Sequence, residues 1–103
     1  MQHDLFVNPS RNLRKIYPLI ADLQADLVAG PQRITAPLIP LGLVDGGSNV
    51  RYLPVVRHEG QELLLILTLL TSLPAHLLRH AVGTVREFRF EITSGLDWLF
   101  SGL

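Results

Sequence analysis

The sequence predicts a mainly β protein that ends in one helix. Three observations support this fold class: short apolar segments separated by Pro, Gly, Asn and Asp, a hairpin pattern between residues 52 and 69, and helical periodicity after residue 84. The chain has 103 residues and 48% of them are hydrophobic, so we expect one domain, residues 1–103, with a substantial core.

The first half of the chain is predicted to form extended segments joined by turns. The segments are His3 to Val7, Ile16 to Leu23 and Arg33 to Leu41. The turns between them are Asn8-Pro9-Ser10 and Ala29-Gly30-Pro31, and a later loop is Asp45-Gly46-Gly47-Ser48. Because proline lacks the N–H that a sheet ladder needs, the prolines at 18, 37, 40 and 54 indicate edge strands or bulges.

A β-hairpin is predicted where Tyr52 to Arg57 and Glu62 to Leu69 flank the four residues His58-Glu59-Gly60-Gln61. Its second strand is apolar on both faces from Leu63 onward, so we expect the core to cover one face and another element or a second subunit to cover the other. The apolar run is too short and too interrupted for a membrane span, which needs roughly 20 apolar residues. It is therefore interpreted as a buried strand and a turn, and no membrane association is expected.

The last fifth of the chain shows the spacing of an amphipathic helix. The apolar positions that recur every three or four residues are Val85, Phe88, Ile92, Leu96 and Leu99. Thr84 and Glu87 have the spacing of a capping box, which predicts the helix start, and Gly102 stands where a C-terminal cap is expected.

Two aromatic residues, Phe90 and Trp98, lie off this apolar stripe. They either widen the buried face of the helix or mark a contact with another subunit. Together with the two-sided apolar strand, they lead us to expect a homodimer, because a chain of this length has limited means of covering both.

Charge and cysteine content narrow the possible partners and the compartment. Nine basic residues balance nine acidic ones, so direct binding to bare DNA is disfavoured. The chain has no cysteine, which excludes disulfides and thiolate metal sites and suits a reducing compartment. The start Met1-Gln2-His3-Asp4 shows no secretory signal pattern, so the expected location is the cytoplasm.

The sequence offers no motif typical of an enzyme, a metal site or a cofactor site. His76 and His80 could share a metal ion on one face of a helix. However, Pro74 limits helix formation there, and no third ligand lies at a spacing typical of a metal site. Surface or capping histidines are therefore expected. Asp22 and Asp26 are close enough for acid–base chemistry, although carboxylates on a short connection usually face solvent or cap a turn. We therefore expect a binding protein without catalytic, metal or cofactor residues.

Several segments occur in the order and spacing found in one family of bacterial toxins. Asp22-Leu23-Gln24-Ala25-Asp26-Leu27-Val28 resembles that family's D-V-Q-S-D-hydrophobic-hydrophobic segment, and Arg33-Ile34-Thr35-Ala36-Pro37-Leu38 is similar to its R-x-V-I-P-L strand. The remaining matches are Met1-Gln2, Tyr52-Leu53-Pro54-Val55-Val56, Thr71-Ser72-Leu73-Pro74 and Leu99-Phe100-Ser101-Gly102-Leu103. Over nearly its whole length, the chain resembles the CcdB toxin family.

This resemblance implies an SH3-like β-barrel with a small accessory sheet and a C-terminal helix, assembled as a symmetric homodimer. It implies a toxin of a type II toxin–antitoxin system that binds the DNA gyrase A subunit, traps the gyrase–DNA cleavage complex and is neutralised by a CcdA-like antitoxin. The toxin then contacts DNA only as part of its complex with gyrase or with the antitoxin. The positions that match the family's gyrase contacts are Leu27, Val28, Asp97, Ser101, Gly102 and Leu103.

The chain departs from the family pattern at two positions, and two alternative functions remain open. Ser101 stands where the best-known members carry tryptophan, and Asp97 stands where the family carries asparagine. A non-toxic chromosomal homologue is one alternative. The other is an mRNA endoribonuclease similar to MazF and Kid, which share the fold and would need a basic groove with an acid–base pair. The arginines available for such a groove are scattered: Arg33, Arg51, Arg57, Arg86 and Arg89.

Overall fold

A computed structural model describes residues 1–28, 30–45 and 52–102 of the chain. Among these residues the chain forms seven strands and two α-helices. The strands are β1 Asp4–Val7, β2 Leu19–Asp22, β3 Gln32–Pro40, β4 Val55–His58, β5 Gln61–Leu65, β6 Thr71–Pro74 and β7 Gly83–Thr84. The helices are α1 Arg11–Arg14 and α2 Arg89–Ser101. The loop predicted at residues 45–48 lies, after Asp45, outside the described residues, as does Ala29 of the predicted turn.

The strands form one antiparallel sheet that curves into a nearly closed barrel. Its order is β4-β5-β3-β2-β1-β7, and β6 pairs with the first half of β3 outside this path. The sequence-based prediction of a mainly β fold with a C-terminal helix is confirmed, and the architecture fits an SH3-like barrel. The small accessory part of the sheet is the branch made by β6 and the start of β3.

The barrel nearly closes where the two edge strands, β4 and β7, approach each other. The imidazole of His58 at the end of β4 lies over Gly83 of β7, and a Cβ atom added to Gly83 would stand 2.5 Å from His58 Cε1. No side chain larger than hydrogen fits there without displacing the ring. Gly83 thus allows the half-buried His58 to cover the gap between the edges.

Pro37 lies in an inner strand, not at the edge or bulge that its lack of an N–H suggested. The first half of β3 pairs with β6, and its last residues pair with β5, so the partner on that side changes at Pro37. The Pro37 carbonyl faces this side and accepts a hydrogen bond from Ile66 N–H at 2.9 Å. The missing donor therefore falls where the ladder is already interrupted.

The predicted hairpin is confirmed, but its strands are shorter than expected and its connection has two residues instead of four, because His58 and Gln61 pair with each other in the ladder. Its turn consists of Glu59 and Gly60, which both have positive φ, 51° and 77°, as a two-residue type I′ turn requires. The second strand ends at Leu65, and Leu67–Leu69 form a 3₁₀ turn instead of continuing it.

The apolar second strand of the hairpin is covered on both faces by the protein's own residues. Leu63, Leu64 and Leu65 are all buried and belong to one core with Val85 and Ile92. Of the two kinds of cover expected for this strand, another element of the same chain is the one observed. A second subunit is not needed there.

Helix α2 starts later than the capping-box pattern predicted. Thr84 pairs with Asp4 and is the last residue of β7, and α2 begins five residues later, at Arg89. Its hydroxyl accepts the Arg86 N–H at 3.1 Å, while Glu87 lies in the 3₁₀ turn Arg86–Phe88 that precedes the helix. The predicted C-terminal end is confirmed: Gly102 has φ 71° and donates its N–H to the Trp98 carbonyl at 3.0 Å.

The first half of the chain contains a short helix that the sequence analysis did not predict. Ser10 caps α1, because its hydroxyl accepts the Leu13 N–H at 3.3 Å. The extended segment expected from Ile16 therefore begins only at Leu19. Within the described ranges, no helix is long and apolar enough to cross a membrane.

The predicted apolar stripe of α2 faces the core. Val85 and Ile92 are buried, and the other three stripe residues pack against the core while partly exposed. Gly95 sets how closely the helix approaches, because an added Cβ would lie 2.8 Å from the Tyr52 carbonyl oxygen and 2.6 Å from Leu67 Cδ1. A backbone oxygen has little freedom to move away from such a contact.

We therefore expect Gly95→Ala to destabilise the protein by about 1–3 kcal/mol, because the methyl group overpacks the contact with Tyr52. The expected sign is opposite to helix propensity, which favours alanine over glycine by about 1 kcal/mol. The matched control is Ser94→Ala on the exposed side of the same turn, which should change stability by less than about 0.5 kcal/mol. Urea unfolding measures both, and a Gly95→Ala variant as stable as the parent would contradict this packing.

Candidate functional site

The loop that follows β2 is held by a buried ion pair between Asp22 and Arg33. Asp22 is 2% exposed, and Arg33 approaches its Oδ2 atom with both Nε and Nη2 at 2.9 Å. The other carboxylate oxygen accepts the Gln24 N–H at 3.1 Å. Because both oxygens have partners, the desolvation cost of this buried carboxylate is offset.

Arg33 also reaches the far part of the same loop. Its Nη2 donates to the Gln24 carbonyl at 3.0 Å and to Asp26 Oδ1 at 3.4 Å. The Gln24 side chain adds two further bonds, donating to the Val28 carbonyl and accepting the N–H of Ile34. One guanidinium and one amide thus fix the loop between β2 and β3.

Asp26 is an exposed carboxylate that stays ionised. The hydrogen bond from Gln2 N–H to Oδ1, at 2.9 Å, lowers the pKa of Asp26, and the Arg33 guanidinium lowers it further. Asp22 caps a turn as expected but does not face solvent. Each carboxylate is bound to Arg33, which is the arrangement of a structural network rather than of an acid–base pair.

This braced loop presents two apolar side chains to solvent. Leu27 is 99% exposed and Val28 is 56% exposed. Neither side chain belongs to the hydrophobic core. Exposed aliphatic side chains on a fixed backbone are typical of a contact surface for another macromolecule.

The C-terminal residues suggested by the family positions lie at the end of α2. Asp97, Ser101 and Gly102 are exposed, and the Ser101 hydroxyl donates to the Asp97 carbonyl at 2.6 Å. Ser101 is the last helical residue rather than part of a tail that follows the helix, and Gly102 is the cap. Leu103 lies outside the described residues.

Phe90 and Trp98 lie on the outer surface of α2. They are 71% and 53% exposed, so of the two alternatives raised for them, the wider buried face is wrong. Both line an open hollow of about 440 Å³ between α2 and the segment from Tyr52 to Val55. An exposed aromatic pair beside a hollow is a surface that another protein can cover.

The two groups of candidate residues do not form one patch within a protomer. Asp26, next to Leu27, shares a notch with Arg89 in the first turn of α2. Ser101 lies at the other end of this helix, roughly 18 Å away along the axis at a rise of 1.5 Å per residue. A partner that contacts both groups on one protomer must therefore span the length of α2.

The residue that the sequence reasoning missed is Arg33, which was considered only as one of several scattered arginines. A signal was present, because Arg33 begins one family-like segment while Asp22 and Asp26 belong to another. Arg57 pairs weakly with Glu62 at 3.9 Å, and Arg51 lies outside the described residues. Among the described arginines of this set, Arg86 and Arg89 line one notch, and Arg33 and Arg57 are not part of its lining.

The histidine pair does not have the geometry of a metal site. His76 lies in the 3₁₀ turn Ala75–Leu77, His80 follows it outside any helix, and both are exposed. The expected surface histidines are confirmed. Across the residues that the structure describes, no group of three or more His, Asp or Glu side chains could hold a metal ion.

Comparison with known proteins assigns the chain to a family. No curated protein matches the sequence closely enough to count as a relative. The family model described as CcdB protein matches residues 2–102, which is essentially the whole chain. Together with the barrel fold and the C-terminal helix, this match shows that the chain belongs to the CcdB family.

Proposed function

We propose that this protein is a toxin that binds the A subunit of DNA gyrase, traps the gyrase–DNA cleavage complex, and is held inactive by a CcdA-like antitoxin. Membership of the CcdB family supports a toxin of a toxin–antitoxin system that acts on gyrase. The observation that supports the specific proposal is the solvent exposure of the expected contact residues. All described residues at the positions expected to contact gyrase are open to solvent, with Leu27 at 99%.

The proposed action requires binding and no chemistry by this chain, because gyrase itself cleaves the DNA. Leu27 and Val28 supply apolar surface, and burying an exposed leucine side chain contributes about 1.5–3 kcal/mol. The Asp22–Arg33 network supports this contact by fixing the loop before binding, so that less conformational entropy is lost in the complex.

The tip of α2 is expected to bind more weakly than in family members that carry tryptophan. The Ser101 side chain is small, and its hydroxyl is already bonded to the Asp97 carbonyl. The Asp97 carboxylate adds a negative charge to the last turns of the helix, where the macrodipole disfavours it. Trp98 lies three residues before Ser101 on the same helix and provides an exposed indole near the tip.

We further propose that the protein is a homodimer that uses the outer surface of α2. The apolar strand does not support a dimer, because Leu63, Leu64 and Leu65 are buried within one chain. The exposed Phe90 and Trp98 beside their hollow carry the proposal instead. An acidic and apolar antitoxin tail is proposed to bind across this dimer and to fold as it docks.

The tip is tested by deleting residues 101–103 and, separately, by Ser101→Trp. Deletion should abolish trapping of the cleavage complex and reduce stability by less than about 1.5 kcal/mol, the loss of the Gly102 cap. Ser101→Trp should strengthen trapping, because it adds an aromatic anchor next to Trp98. A gyrase cleavage assay with the purified variants measures both. Equal trapping by the parent protein, the deletion variant and Ser101→Trp would show that the end of α2 is not the gyrase-binding surface.

Arg33 is expected to act as a positioning residue for the loop. Arg33→Lys keeps the charge beside Asp22 but loses the fork of donors, so gyrase binding should weaken about tenfold while the fold is retained. Chymotrypsin should also cleave the loop faster at Leu27. A general loss of stability would instead increase cleavage at sites throughout the chain.

The matched control for Arg33→Lys is Arg57→Lys, because Arg57 forms only an exposed ion pair with Glu62 at 3.9 Å. The control should bind gyrase and resist protease like the parent protein. If both lysine variants behave like the parent in both measurements, the Arg33 network does not position the contact loop.

The dimer is tested by measuring mass in solution at low micromolar concentration. The parent protein should be a dimer, and Trp98→Ser should weaken dimerisation at least tenfold, which corresponds to about 1.4 kcal/mol. The control Leu77→Ser removes another exposed apolar side chain, which does not line the hollow, and should leave the dimer intact. A monomeric parent protein would overturn the proposal.

A further inference from the structure

A notch of about 190 Å³ lies between the N-terminal segment and the start of α2. Its lining includes His3, Arg86 and Arg89, three side chains that can donate hydrogen bonds to an anion. The Asp26 carboxylate also lines the notch. The proposed contacts with gyrase and the homodimer use none of these three donors.

The two arginines of the notch lack carboxylate partners. In the described part of the chain, no Asp or Glu oxygen lies within 4.0 Å of the Arg86 or Arg89 guanidinium, whereas Arg33 is paired with Asp22 and Asp26. The Asp26 Oδ1 atom is already used by the Gln2 N–H and by Arg33. The positive charge of the notch is therefore not neutralised by hydrogen-bonded ion pairs.

Contacts within the chain hold the Arg89 side chain and the backbone of His3. Arg89 donates from Nη1 to the Arg86 carbonyl at 3.1 Å and stacks on the Phe90 ring, 4.7 Å from its centroid. The backbone of His3 is held between β2 and β7, because its N–H donates to the backbone carbonyl of Asp22 at 2.6 Å and its carbonyl accepts the Val85 N–H at 2.8 Å. These bonds hold His3 at φ 74°, which is uncommon for a residue other than glycine.

The pKa of His3 is shifted by burial and by the charged side chains around the notch. Partial burial lowers the pKa of His3 and the nearby Arg86 and Arg89 lower it further, while Asp22 and Asp26 act in the opposite direction. Two arginines that disfavour a third positive charge leave the notch receptive to an anion. A bound anion would reverse the effect and stabilise the protonated imidazole.

We propose that this notch binds a phosphate group. Two guanidinium groups and an imidazole present more donors than the two oxygens of a carboxylate can use, whereas a phosphate has three or more acceptor oxygens and up to two negative charges. Arginine forks match phosphate geometry, and adjacent unpaired arginines favour a dianion. The three donors are not among the residues expected to contact gyrase, and the proposal goes beyond the proposed toxin function.

The test follows the His3 imidazole by NMR while inorganic phosphate is added, with sodium chloride at equal ionic strength as the reference. The phosphate titration should saturate and raise the pKa of His3, because the anion favours the charged ring. The double variant Arg86→Gln/Arg89→Gln should bind at least tenfold more weakly. The control Arg79→Gln, an exposed arginine that does not line the notch, should bind like the parent.

A second set of titrations identifies the source of the phosphate. A short oligothymidylate with a 5′-phosphate is compared with the same oligomer with a 5′-hydroxyl. Preference for the first assigns the notch to a terminal phosphate monoester, and equal binding assigns it to the nucleic-acid backbone. A His3 signal that responds to phosphate no more than to chloride, or a response unchanged in Arg86→Gln/Arg89→Gln, would overturn the proposal. None of these measurements contains gyrase.

Discussion

The Asp22 carboxylate is buried between β2 and β3, and the candidate contact loop depends on how that charge is satisfied. An unpaired buried carboxylate costs several kcal/mol, so the chain must place a cation beside it. Arg33 fills this role and has donors left over, which it uses to hold Gln24 and Asp26. The same interaction therefore stabilises the end of a strand and fixes the backbone that exposes Leu27.

Local patterns in the sequence predicted the parts of the fold that depend on local physics. The hairpin was recognisable because its turn needs positive φ at two residues, and the end of α2 because Gly102 adopts a left-handed conformation. The start of α2 was placed too early, because Thr84 is used by a strand pairing with β1 that the sequence does not display. A local motif cannot show that its residue is already engaged in a distant contact.

The candidate site could be predicted only in part for the same reason. The family-like segments gave Leu27 and Val28, but the ion pair that holds their loop joins residues on two strands. The apolar strand from Leu63 was correctly expected to be buried, yet whether its own chain or a second subunit covers it depends on barrel curvature. By contrast, helical spacing did place Phe90 and Trp98 off the apolar stripe, although their exposed fractions were needed to exclude a wider buried face.

The central claim is that an exposed, braced loop and the end of α2 together contact the gyrase A subunit. Hydrogen–deuterium exchange of the protein, free and bound to the purified A subunit, tests this claim most directly. Binding should slow exchange in residues 24–28 and 97–102 and leave exchange in β6, on the branch of the sheet, unchanged. Protection confined to other parts of the chain, or no binding by a folded protein, would contradict it.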